Sequence, residues 1–181
     1  MNRGGAFRGV VLVGFMGSGK SSVGRELARR SGAPFVDVDE RIESAAGSPI
    51  RDLFAREGEP AFREREKAVL LEVLSVKGCV IATGGGAFTD EENRDLLRSY
   101  APVVYLEAAV ETLLERLAGD HGRPLLRGED REEVVRELLS RREPGYRTAD
   151  VTVRTDGRTV EDVTGQVADW MDRTEGRRVE P

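Results

Sequence analysis

Residues 14–21 read GFMGSGKS, an unbroken G-x-x-x-x-G-K-[ST] phosphate loop. No other stretch of the chain constrains its fold as much. Such a loop grips phosphate only where a buried strand runs into it and a helix leaves it, so that free backbone N–H groups and the positive helix end converge on one anion. Both flanks meet that requirement. Residues 10–14 (VVLVG) form a β-branched run suited to a buried parallel strand, and 20–30 read as a helix with Val23, Leu27 and Ala28 on one face. Glycine lets the backbone wrap an anion without Cβ clashes, Lys20 adds a compact charge for the outer phosphates, and the Ser21 hydroxyl suits Mg²⁺. A nucleotide site is therefore expected on Gly17, Ser18, Gly19, Lys20, Ser21 and Ser22.

Beyond the loop, strand-like runs at 35–38, 79–82, 103–106 and 151–154 alternate with helical stretches at 39–46, 50–56, 59–76, 89–99, 110–117, 131–142 and 160–171. Alternation of this kind predicts a three-layer α/β/α domain built on a five-stranded parallel sheet. The 181 residues suit one such domain, with its core at 10–172 and frayed termini at 1–8 and 174–181. The stretch GDHGRPLLRG at 119–128 is poor helix material and reads as a mobile loop. Ligands of parallel sheets sit beyond the carboxyl ends of the strands, which directs attention to the residues after Val13, Val36, Ala82 and Leu106.

Composition excludes several functions. A net charge of −5 and a pI near 5.2 argue against a nucleic-acid binder, which needs a basic surface. Apolar runs such as 103–106 are far short of the roughly 20 residues that cross a bilayer, and the N-terminal MNRGGAFRG lacks the apolar stretch of a secretory signal. One cysteine, Cys79, permits no internal disulfide and fits a reducing cytoplasm; with one histidine, His121, it builds no zinc cage. The chain holds 25 arginines and lysines only at 20, 67 and 77, so Lys20 was kept where arginine is otherwise favoured.

Four further groups carry chemistry. Asp37 and Asp39 follow the second strand at i, i+2 spacing, which on an extended chain puts both carboxylates on one side, facing the phosphate loop. Beside a magnesium nucleotide one can hold the metal through water and the other accept a proton from an attacking hydroxyl; alternatively they cap the next helix. Arg63 and Glu66 are i, i+3 neighbours, so the glutamate either fixes the guanidinium in one pose or forms an ordinary surface pair with it. Gly84, Gly85 and Gly86 end the third strand, where glycines mark close approach to the backbone or a plain turn. Arg116, Arg123, Arg127 and Arg142 are the cations of the C-terminal half, and Arg123 sits where a closing loop can swing it onto a transferring phosphoryl group.

Taken together, these residues resemble the shikimate kinases of the nucleoside-monophosphate-kinase-like P-loop group. The resemblance spans about residues 10–171 and rests on GFMGSGKS, DVDERIE at 37–43, FRERE at 62–66, ATGGGA at 82–87, RPLL at 123–126 and RREPGY at 141–146. It implies a P-loop kinase fold with a substrate-binding helical segment at about 39–66 and a lid at about 119–128. It also implies a monomer that moves the γ-phosphoryl group of ATP to the 3-hydroxyl of shikimate. Lys20 and Ser21 would serve the phosphates and Mg²⁺, Asp37 would hold the metal through water, and Asp39 would bind the substrate hydroxyls as base or orienting group. Arg63 and Arg142 would clamp the carboxylate, with the backbone of Gly84, Gly85 and Gly86 completing that pocket. Arg123 would be the lid arginine, Arg116 would lie against adenine, and Arg158 falls in a segment resembling the adenine-contacting loop. Ser22 departs from the threonine of many relatives but keeps a hydroxyl. Asp120 and His121 receive no role.

Three other readings compete. Gluconate kinase shares the loop and the size, but is not expected to combine Asp37, Asp39, Arg63, the glycine run and Arg142 in this order. A GTP-dependent switch needs an N-K-x-D or T-K-x-D element, which the sequence does not contain. A nucleotide binder that had lost catalysis would not be expected to keep Lys20, Asp39, Arg63, Arg123 and Arg142 together.

Overall fold

A computed structural model describes residues 7–118 and 130–176. Five parallel strands, β1 (Val10–Val13), β2 (Phe35–Asp37), β3 (Val80–Ala82), β4 (Val103–Glu107) and β5 (Val151–Arg154), form one sheet in the order β2-β3-β1-β4-β5. The central strand β1 pairs Leu12 with Ala82 on one side and with Val104 on the other, and all four of its residues are buried. A strand enclosed on both faces and both edges must be apolar throughout, which is why VVLV reads as an unbroken run.

Among the described residues seven α-helices complete the three layers: α1 (Lys20–Ser31), α2 (Val38–Ala46), α3 (Ile50–Leu74), α4 (Glu91–Tyr100), α5 (Val110–Leu117), α6 (Arg131–Tyr146) and α7 (Val160–Gly176). Successive strand residues point to opposite faces. Val10, Leu12, Val80, Val104 and Leu106 accordingly pack with Val23 and Leu27 of α1 and Val163 and Val167 of α7. Val11, Val13, Ile81, Val103 and Tyr105 pack instead with Ile42, Leu53, Leu70, Leu97, Leu113 and Val135 from α2 to α6. The expected sheet and layering are present.

Boundaries differ at informative places. The two helices expected at 50–56 and 59–76 are both present as the two arms of α3, the second ending at Leu74, and are parted by the non-helical Gly58 (φ 79, ψ 172). Pro60 follows at once, and in the first turn of the second segment its missing N–H costs nothing. Helix α6 passes its expected end at Arg142 and, despite Pro144, reaches Tyr146, so Arg142 and Tyr146 stand on consecutive turns. Helix α7 continues to Gly176, into the stretch expected to fray, while Phe7 packs on the cluster of Val10 and Leu12. The loop at 119–128, with Asp120, His121, Arg123 and Arg127, lies outside the described residues. No helix among the described residues is long and apolar enough to cross a membrane.

Candidate functional site

The phosphate loop leaves β1 at its carboxyl end and enters α1 through Gly19, whose φ of 97 is open to glycine and strained for other residues. No upstream side chain caps this helix, so its first N–H groups face the loop's interior. The Lys20 Nζ reaches back to the carbonyl oxygens of Gly14 and Phe15, both at 2.9 Å. The Oγ of Ser18 is buried without a hydrogen-bond partner among the described residues. A buried hydroxyl inside an anion-binding loop is suited to donate to an anion held there.

This loop lines a cavity of about 550 Å³ shared with Asp37, Asp39, Thr83, Arg116 and Arg158. Gly17, Ser18, Gly19, Lys20, Ser21 and Ser22 all contribute to the wall, as expected. The guanidinium of Arg116 donates to the Gly17 carbonyl at 3.2 Å, to Thr155 Oγ1 at 3.0 Å and to the Thr155 carbonyl at 2.9 Å. It thus ties the phosphate loop to the segment after β5, and its flat face is fixed by bonds along its edge. Thr83, Thr155 and Thr159 also line the cavity. Sequence reading missed them because a single threonine after a strand has no distinguishing pattern.

Asp37 and Asp39 reach the cavity by a different route from the one expected. The extended chain stops at Asp37, and Val38 already begins α2, so the two-residue alternation of a strand does not apply to this pair. Asp37 Oδ1 instead caps the helix, accepting from the backbone N–H of Asp39 at 3.0 Å and of Glu40 at 3.3 Å. Its other oxygen accepts from Ser21 Oγ at 2.5 Å. Capping and site chemistry, weighed above as alternatives, are carried by the two oxygens of one carboxylate. A hydroxyl and a carboxylate oxygen side by side are the hard donors that Mg²⁺ prefers.

Arg63, Glu66, Arg142 and the glycine run form an adjoining cluster. Arg63 Nη1 pairs with Glu66 Oε2 at 2.8 Å and Nη2 with Glu59 at 2.9 Å. Glu66 is 1% exposed; burial pushes its carboxyl above the ordinary range, Arg63 pulls against that, and the nearby Asp39 charge adds to the rise. Its second oxygen, Oε1, is buried without a hydrogen-bond partner among the described residues.

The three glycines are what this packing requires. A Cβ on Gly84 would sit 2.7 Å from both Asp39 Oδ1 and Glu66 Oε1, and one on Gly86 would sit 2.6 Å from Arg63 Nη2. A Cβ on Gly85 would sit 3.4 Å from Arg142 Nη1 and 3.5 Å from the phosphate-loop backbone at Met16 N. One glycine loop therefore runs beside the phosphate loop, Asp39 and both arginines. Arg142 is 9% exposed, and among the described residues no carboxylate lies within ion-pair distance of it. Its guanidinium lies 5.9 Å from the centre of the Phe15 ring. Keeping a guanidinium buried without a carboxylate partner is costly, and such a cation is suited to meet an anionic ligand.

Comparison with known proteins follows this geometry. A family model described as shikimate kinase matches residues 16–172. A shikimate kinase of Francisella philomiragia is 44% identical over 166 residues, covering 91% of this chain and 94% of its own. Among solved structures, a shikimate kinase from Acinetobacter baumannii in complex with shikimate superimposes with a TM-score of 0.90 at 41% identity, covering 93% of this chain and 94% of that one. A shikimate kinase from Aquifex aeolicus gives a TM-score of 0.79 at 34% identity, with 94% and 98% covered.

Proposed function

The chain belongs to the shikimate kinase family, and on that premise we propose that it transfers the γ-phosphoryl group of ATP to the 3-hydroxyl of shikimate, giving shikimate 3-phosphate and ADP. The observation that carries this reading is the glycine loop, around which a phosphate-binding loop, a half-buried aspartate and two arginines converge. A small carboxylated polyol needs planar guanidinium forks at one end and a proton acceptor at the other, and this set supplies both.

Within that reading the nucleotide phosphates lie on the N–H groups of residues 17–22, with Lys20 on the outer phosphates. Arg116 lies against adenine, its edge already held by Gly17 and Thr155, and Arg158 closes the same side. Mg²⁺ fits Ser21 and, through water, the Asp37 oxygen that faces Ser21; when bound it neutralises charge on the β- and γ-phosphates. Arg63 and Arg142 clamp the substrate carboxylate against the backbone of Gly84, Gly85 and Gly86. Asp39 faces the 3-hydroxyl and takes its proton as that oxygen bonds to the γ-phosphorus and the bond to the ADP oxygen breaks. Arg123, outside the described residues, is the lid arginine in this scheme. The single buried thiol of Cys79 supports a reducing cytoplasm.

A coupled ADP-release assay offering shikimate, gluconate or no acceptor tests the assignment. Shikimate-dependent ADP is expected, whereas release driven by gluconate, or indifferent to acceptor, would overturn it. A second expectation concerns Gly86→Ala. The added Cβ would press on a guanidinium already tethered to Glu66 and Glu59, so Arg63 must leave its pose. Losing one charge-assisted clamp raises the KM for shikimate by about 10- to 100-fold, with the KM for ATP unchanged. Equal damage to both constants would count against a clamp that serves only the acceptor.

A further inference from the structure

One buried polar group beside the acceptor cluster has no part in the scheme above. Tyr146 is 1% exposed, yet its hydroxyl donates to the Gly85 carbonyl oxygen across a sequence gap of 61 residues. It stands one helical turn after Arg142 on α6, and its ring stacks on that of Tyr105 from β4, centroids 5.2 Å apart at 29°. Burial pushes the phenol up to about 12, while the charge of Arg142 and a hydrogen bond with it pull the other way, so the hydroxyl stays a donor across the working pH range. Arg142 Nη1 in turn lies on the open side of Gly85, where a Cβ would come within 3.4 Å of it.

We propose that Tyr146 is a positioning residue for the acceptor side of the reaction: its hydroxyl ties the Gly85 carbonyl to the Arg142 turn of α6 and sets the guanidinium against the glycine loop. The inference rests on the carboxylate-clamp reading of Arg142. The stack on Tyr105 fixes the ring, the ring fixes the hydroxyl, and the hydroxyl fixes the spacing between two parts of one pocket that are distant in sequence. The carbonyls of Gly84 and Gly86 accept from nearby residues, Ala87 N–H and the N–H and Oγ1 of Thr89, whereas the Gly85 carbonyl between them is bound from α6 by Tyr146.

Tyr146→Phe keeps the ring, its burial and the stack, and removes only the donor. The KM for shikimate is expected to rise by about tenfold, with kcat and the KM for ATP unchanged. In an Arg142→Lys background the same substitution should add almost nothing, because a positioning residue acts through the group it positions. Fully additive effects, or equal loss on shikimate and ATP, would overturn the proposal. p-Aminophenylalanine at 146 retains a donor and should restore the KM. If Tyr146→Phe does not fold while the amino variant matches the parent, the hydroxyl serves stability alone and the proposal fails. A parent protein that releases ADP without regard to shikimate would defeat the clamp reading itself; a shikimate-dependent parent with an unaltered Tyr146→Phe would defeat only the positioning role.

Discussion

Exchange of Lys20 for methionine is expected to lower kcat for shikimate-dependent ADP release by about 10²- to 10³-fold, the cost of removing one preorganised charge from a transition state of this kind. Methionine keeps the length of the stem and loses only the ammonium. In the structure that ammonium rests on two carbonyl oxygens of its own loop, at 2.9 Å each, poised over the cavity that the loop encloses. Arginine should rescue little. Its planar fork does not fit two carbonyls and a phosphate converging on one compact point, which gives a physical reason for lysine here in a chain that otherwise uses 25 arginines against three lysines. An unchanged kcat in Lys20→Met, read beside an unchanged affinity for a non-hydrolysable ATP analogue, would take the ammonium out of the mechanism.

How far the sequence discloses this site depends on how local each piece is. The phosphate loop is contiguous, its constraints are all backbone constraints, and it is therefore legible outright. The Arg63–Glu66 pair is legible from helical spacing, although its burial is not, since only packing under the glycine loop reduces Glu66 to 1% exposure. The aspartates are legible as residues but not as geometry. Asp37 is legible as a cap, but a β-branched valine between two aspartates favours just as much the extended reading, which the start of α2 at Val38 overturns. The glycine run showed that something approaches the backbone, while its partners, Arg63 Nη2, Glu66 Oε1 and Asp39 Oδ1, come from two other segments and emerge only in three dimensions. Phe15 under Arg142 and Thr155 on Arg116 are contacts between distant segments that leave no local pattern. Tyr146 did leave one: an aromatic one helical turn after a functional arginine shares its face, and that spacing was available in RREPGY.

Asp39→Asn is the second substitution from which a large loss is expected, about 10²- to 10⁴-fold in kcat if the carboxylate takes the proton of the attacking hydroxyl. The residue sits in the first turn of α2, half-buried, its backbone N–H held by Asp37 and its Oδ1 packed against Gly84, so the side chain is fixed from both ends. Asparagine preserves shape and most hydrogen bonding, and therefore separates proton transfer from orientation. A base predicts that kcat collapses while the KM values for ATP and shikimate hold. An orienting group predicts instead a raised KM for shikimate with kcat largely kept. The two roles differ in mechanism because phosphoryl transfer through a loose transition state needs little base assistance until the oxygen–phosphorus bond has formed. A kcat close to that of the parent would leave Asp39 holding the acceptor in line and would move the proton directly to the transferred phosphoryl oxygens.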